Sequence, residues 1–212
     1  MRALVIGATG ATGKEVVKQL LEDERFTEII AFVRRPHFAE QHKLKEHIVQ
    51  FDALEASSDH IKGDVAFSCL GTTLKDAGSK EAQWHVDHDY QLHFAQLCQA
   101  GGVRHFILLS AVGANPHSNF FYNKMKGVLE MEVKALRFEQ LSIIQPGLIL
   151  RPDSDRIGEI IAGKVLGFFN RLGLFKQFAG TSTKKLARIL VQESKDKRLG
   201  VRVLPVKEYQ KS

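Results

Sequence analysis

Cysteine, tryptophan, long apolar runs and blocks of one charge are all scarce in this chain, and each scarcity excludes something. Two cysteines in 212 residues, Cys69 and Cys98, have the spacing of neither a metal site nor a disulfide framework. They read as small buried thiols in a reducing compartment. No run approaches the ~20 apolar residues of a membrane-spanning helix, and the amino terminus enters a strand pattern without a signal-peptide signature. The expectation is a cytoplasmic chain with no membrane span. No repeat and no linker divides it. Positive charge is in modest excess, 30 Lys and Arg against 24 Asp and Glu. The cations are interleaved with acids, as in Lys43, Lys45 and Glu46, and no basic stripe alternates with aromatics, so nucleic acid is not the expected partner. The net +6 suits an anionic cofactor or substrate better.

What is present is ordinary globular material: 44% hydrophobic and 25% charged residues, enough for one domain over 1–212 that buries roughly 70% of its unfolded surface. Its organising stretch is Gly7-Ala8-Thr9-Gly10-Ala11-Thr12-Gly13. An apolar run, Ala3 to Ile6, precedes it, and Val16, Val17, Leu20 and Leu21 follow at helical spacing. Strand, glycine turn and helix in that order make a mononucleotide-binding unit. Gly7 reverses the chain, Gly10 lets backbone approach a pyrophosphate, and Gly13 lets the helix pack on the strand. The turn residues Thr9, Ala11 and Thr12 complete the phosphate cradle at the positive end of the helix dipole.

Further along, Glu28 to Val33 reads as a second buried strand ending on Arg34 and Arg35. Arginine at this tip accommodates a 2′-phosphate where an acid would take ribose hydroxyls, so NADP(H) is preferred, with NAD(H) as the other candidate. Residues 37–46 read as a short helix or loop, and His47 to Phe51 as a third strand. Asp52 follows, placed either to meet the adenine amine or to cap the next turn. Asp64 to Leu70 is a fourth strand, and Leu70, Gly71 and Thr72 beyond it should line the cofactor cleft. Trp84 to Gln99 reads as one helix closed by Gly101-Gly102; its His85, His88 and Asp89 are read as solvated or capping groups, with no metal. Val103 to Leu109 is a fifth strand leading to Ser110. Asn119 to Leu136 is a helix that carries Tyr122 and Lys126 one turn apart on one side, and Gln140 to Gln145 is a sixth strand stopped by Pro146-Gly147. Residues 148–180 lose the alternation. The region from about 148 to 200 reads as a small carboxyl-terminal substrate-side segment, in which Thr181-Ser182-Thr183 caps a helix to Val191 and a last strand begins at Gly200. The class is α/β: a single-domain, Rossmann-like, doubly wound parallel sheet.

The glycine turn, Ser110 and Tyr122-x-x-x-Lys126 together resemble the short-chain dehydrogenase/reductase superfamily. Cys69 to Thr73, Val86-Asp87-x-Asp89-Tyr90, Ala100 to Gly102, Phe120 to Gly127 and Pro146-Gly147 resemble its atypical Tat-interacting-protein-like branch, over most of residues 1–160. The resemblance implies an oxidoreductase acting on a carbonyl or alcohol of a small molecule. Tyr122 would pass the proton, Lys126 would lower the tyrosine pKa and bond the nicotinamide ribose, and Ser110 would hold a substrate carbonyl. Pro146 and Gly147 would border the cofactor. The branch often carries a second serine where Ala111 stands here. The alternative is a catalytically weak NADP(H)-binding sensor or interaction module, with a protein partner or a homodimer.

Overall fold

A computed structural model describes residues 1–150 and 180–209. Seven parallel strands form the central sheet: β1 (Arg2–Ile6), β2 (Glu28–Val33), β3 (Leu44–Ile48), β4 (Val65–Ser68), β5 (His105–Leu109), β6 (Gln140–Gln145) and β9 (Gly200–Pro205). Their spatial order is β3-β2-β1-β4-β5-β6-β9. Strand order reverses between β1 and β4, which opens a crevice at their carboxyl ends. A small second sheet pairs β7 (Ile149–Leu150) with β8 (Thr181–Ser182).

The inner strands β1, β2, β4 and β5 are almost wholly buried because both faces of the sheet are covered. Alternate residues go to opposite sides. Ala3, Val5, Ile29, Ala31 and Phe67 meet α1 (Ala11–Glu22) and α6 (Thr183–Glu193) on one face. Leu4, Ile6, Ile30, Phe32, Ala66 and Phe106 meet α4 (Tyr90–Ala100) and α5 (Phe121–Ala135) on the other. Ser182 caps α6 by accepting a hydrogen bond from the Lys185 amide at 3.2 Å, as its position predicts. The fold class read from the sequence is the one observed.

Two expectations need correction. The third strand runs Leu44–Ile48, three residues earlier than read, and Phe51 opens a 3₁₀-helical stretch, Phe51–His60. Val49 and Phe51 are buried, but they pack from the turn rather than from a strand. The helix expected from Trp84 is also interrupted. After α2 (Leu74–Ala77) comes α3 (Lys80–Trp84), then a π-helical turn over His85–Asp89, then α4. This turn rotates Asp87, His88 and Gln91 into the buried face, a use typical of π-bulges at functional sites. Of the segment 148–200, residues 151–179 lie outside the described residues.

Candidate functional site

Gly7 leaves β1 at φ 71°, and a Cβ there would sit 2.4 Å from the Cys69 carbonyl carbon. A Cβ on Gly13 would lie 2.0 Å from the Gly7 oxygen. Both positions therefore tolerate no side chain, and the turn is pressed against the exit of β4. Gly10 precedes α1 in extended backbone with no side-chain cap, and the first turn of α1 carries no acid. The leading amides of that helix, which have no intrahelical acceptor, are thus left for an outside anion. Thr9 and Gly10 are exposed, Ala11 is half-buried, and Thr12 and Gly13 are buried beneath them. This cradle fits a diphosphate: backbone donors converge, and no carboxylate competes.

Arg34 and Arg35 follow β2 directly and are exposed; among the described residues neither makes an ion pair. Asp52 stands four residues beyond β3. Its Oδ1 accepts from the Tyr90 hydroxyl at 2.8 Å and faces His85 Nε2 at 2.7 Å. These donors hold its carboxyl below the usual range, His85 contributing most.

Leu70, Gly71 and Thr72 leave β4 for the same crevice. The Thr72 amide donates to Asp87 Oδ2 at 2.7 Å, and Gln83 Nε2 donates to the Thr72 carbonyl at 3.3 Å. Asp87 is the centre of this floor. Lys126 Nζ lies 3.4 Å from Asp87 Oδ1 and donates to the Asp87 main-chain oxygen at 3.4 Å, and the two side chains are 2% and 1% exposed. Burial pushes the Lys126 ammonium below the usual lysine range, and Asp87 opposes that shift. Gln91 donates to the Asp87 carbonyl at 2.7 Å and accepts from Ser68 Oγ at 2.8 Å. One buried aspartate thus ties the exit of β4 to α5 through its carboxylate and to α4 through its main-chain carbonyl. The sequence motif contains Asp87 without marking it as a site residue. An acid four residues before Gln91 and seven before Phe94, on a stripe that is otherwise buried, was the available signal.

Tyr122 is 41% exposed on the first turn of α5, one turn from Lys126. The loop after β5 fixes that helix start: Asn123 Nδ2 donates to the Gly113 carbonyl at 2.7 Å, and the Asn115 amide donates to the Asn123 carbonyl at 3.0 Å. Ser110, just past β5, is buried, and its hydroxyl donates to Glu130 Oε1 at 2.5 Å, where Gln145 Nε2 also donates at 2.9 Å. The Pro146 carbonyl accepts from the Val112 amide at 2.8 Å, which joins the turns after β5 and β6 and leaves Gly147 at the crevice side of the sheet. The structure therefore presses the glycine turn against the exit of β4, joins Thr72 and Lys126 at Asp87, and commits Ser110 to Glu130. Burial raises the Cys69 thiol to about 12, which removes it as a nucleophile.

Residues 7–147 match the family model described as NAD(P)H-binding. The chain belongs to the NAD(P)H-binding family. Among its relatives, protein HTATIP2 of Rattus norvegicus is 38% identical over 169 residues, covering 77% of this chain and 69% of its own length. Protein FMP52, mitochondrial, of Saccharomyces cerevisiae is 35% identical over 176 residues, covering 81% and 73% respectively. The branch read from the motifs is thus the one found. In fold, MoeE5 solved with UDP-glucuronic acid and NAD superposes with a TM-score of 0.76 at 18% identity, over 97% of this chain and 76% of that one. This likeness speaks for the family's sheet and helices. Among the described residues no helix is long and apolar enough to cross a membrane.

Proposed function

We propose that this member of the family is an NADP(H)-dependent oxidoreductase that acts on a carbonyl or alcohol of a small-molecule substrate. The observation that carries the reading is the start of α5: an exposed Tyr122, and one turn on a buried Lys126 braced by Asp87 under Thr72. The cofactor, when bound, supplies the hydride chemistry. The first-turn amides of α1 hold its diphosphate, Arg34 and Arg35 grip the 2′-phosphate, and the free oxygen of Asp52 meets the adenine amine. Leu70 to Thr72, Pro146 and Gly147 wall the crevice. Tyr122 holds the proton that passes to the substrate oxygen. The Lys126 cation favours the phenolate and bonds the ribose. Ser110 exchanges Glu130 for the substrate carbonyl. Substrate recognition is assigned to the carboxyl-terminal segment of about 148–200 within the single domain. The cytoplasm is the proposed location, and fractionation tests it against the mitochondrial designation of the yeast relative.

One observation favours a second reading. The Ser110 hydroxyl is buried and already donated to Glu130, and Ala111 offers no replacement. A chain that keeps that bond would bind NADP(H) tightly and serve as a sensor or interaction module, with turnover lost. Incubation with NADPH and a panel of aldehydes and ketones separates the two. The enzyme consumes NADPH, and Tyr122→Phe slows it about 10²- to 10⁴-fold. The sensor consumes none, yet gains about 2.7 kcal/mol of stability at a hundredfold excess of NADPH over Kd.

A further inference from the structure

Five titratable side chains form a line from the adenine end of the crevice to α5: Asp52, His85, Asp89, His88 and Glu132. His85 Nε2 faces Asp52 Oδ1 at 2.7 Å, and its Nδ1 faces Asp89 Oδ2 at 3.0 Å. Both ring nitrogens can donate only in the imidazolium form, so this double bridge selects the charged ring. Beyond it, His88 Nδ1 lies 2.9 Å from Asp89 Oδ1. His88 Nε2 and Glu132 Oε2 stand 2.9 Å apart without hydrogen-bond alignment.

The other end of the line bears on the cofactor. Tyr90 and His85 both converge on Oδ1 of Asp52; among the described residues Oδ2 has no partner. The ring of His85 also lies against Tyr90, at 4.4 Å between centroids, and Tyr90 against Phe51 at 5.3 Å. Asp52 is therefore an exposed acceptor with one oxygen pinned and one presented beyond the carboxyl end of β3.

We propose that His85 is a positioning residue for adenine recognition: as an imidazolium spanning Asp52 and Asp89 it orients the Asp52 carboxylate, and loss of its proton loosens the hold on the adenine end of NAD(P)H. This deepens the cofactor reading above and rests on Asp52 meeting the adenine. The groups that face His85 are Asp52 from the 3₁₀-helical stretch, Asp89 from the π-helical turn and Tyr90 from α4; His88, on the same turn, meets the other oxygen of Asp89. Arg34 beyond β2 acts on Tyr90, and Glu132 of α5 reaches the line through His88. Carboxylates outnumber cations around the ring. The hydrogen bonds that the ring donates to Asp89 first, then to Asp52, raise the His85 pKa above its ordinary value of 6.5. The neutral ring keeps one N–H and must release one of the two carboxylates.

The test is the Kd for NADH, which lacks a titrating 2′-phosphate, measured by calorimetry from pH 6 upward. Affinity weakens about 3- to 10-fold as pH rises through the raised His85 value, the worth of one hydrogen bond. His85→Gln gives a flat profile at the weaker limit. Asp89→Asn moves the midpoint to lower pH while the melting curve shows the variant folded. A flat wild-type profile, or a midpoint unmoved in Asp89→Asn, overturns the role of His85. An Asp52→Asn variant that binds NADH as tightly as wild type overturns it at its root by removing the adenine contact. Absence of binding by the wild type instead sinks the cofactor reading itself.

Discussion

The two ends of the sheet carry similar polar residues in opposite states. At the amino ends of β5, β6 and β9 a cavity of about 160 Å³ is lined by His105, Ser142, Asp196, Arg198 and Arg202. There each charge is answered. Ser142 Oγ lies 3.0 Å from His105 Nε2 and donates to Glu193 Oε2 at 3.3 Å. Arg202 Nη1 donates to Glu193 Oε1 at 2.8 Å and to Asp196 Oδ2 at 3.0 Å, and Arg198 pairs with Asp196. At the carboxyl ends, by contrast, the leading amides of α1 have no side-chain cap, Arg34 and Arg35 are exposed, and Asp52 keeps one oxygen open. A closed network stabilises the fold; an open one waits for a ligand. Residue type alone does not separate the two, but the degree to which partners are already satisfied does.

Within the carboxyl-end site, the Asp87–Lys126 pair is the part that is closed, and breaking it should give the largest effect. Asp87→Leu leaves a buried ammonium uncompensated, and should cost about 3–5 kcal/mol in urea unfolding. A loss below ~1 kcal/mol would mean the lysine escapes to solvent. At the amino end, burial lowers the His105 pKa to about 4, below its ordinary 6.5. The unfolded chain therefore takes up that proton first as pH falls. Stability from the neutral ring is complete above pH 6.5 and drains between 6.5 and about 4, by on the order of 3 kcal/mol. Unfolding free energy against pH should show this slope in wild type and lose it in His105→Gln, with cofactor affinity unchanged in both. The smallest expected effect is on the open rim. Replacing Arg34 and Arg35 by alanine should weaken NADPH about 10- to 150-fold relative to NADH and leave the melting temperature of the free protein in place. Equal losses for both cofactors would remove the 2′-phosphate contact.

Most of the sheet was legible because parallel strands covered on both faces are continuous apolar runs, and β1, β2, β4, β5 and β6 all have that signature. The edge strand β3 does not. Of its five residues, Leu44 alone is buried, so the apolar His47–Phe51 run drew the reading three residues too late. The π-helical turn was invisible for a related reason. Val86, Tyr90, Phe94 and Leu97 fit an uninterrupted helix, whereas the buried face is Asp87, Gln91, Phe94, Ala95 and Cys98. A template of apolar spacing passes over an acid held by Thr72 and Lys126. In the site, the glycine turn was readable because steric necessity leaves no other residue at Gly7 or Gly13. The partners of Ser110, Asp52 and Lys126 were not, since Glu130, His85 and Asp87 arrive from distant elements that the fold alone brings together.

A titration of the wild-type protein with NADPH and with NADH, read by calorimetry and by melting temperature, tests the central claim most directly. The open cradle at the head of α1 predicts saturable heat and a rise in melting temperature with ligand concentration, larger for NADPH. No heat and no rise with either reduced cofactor would contradict it.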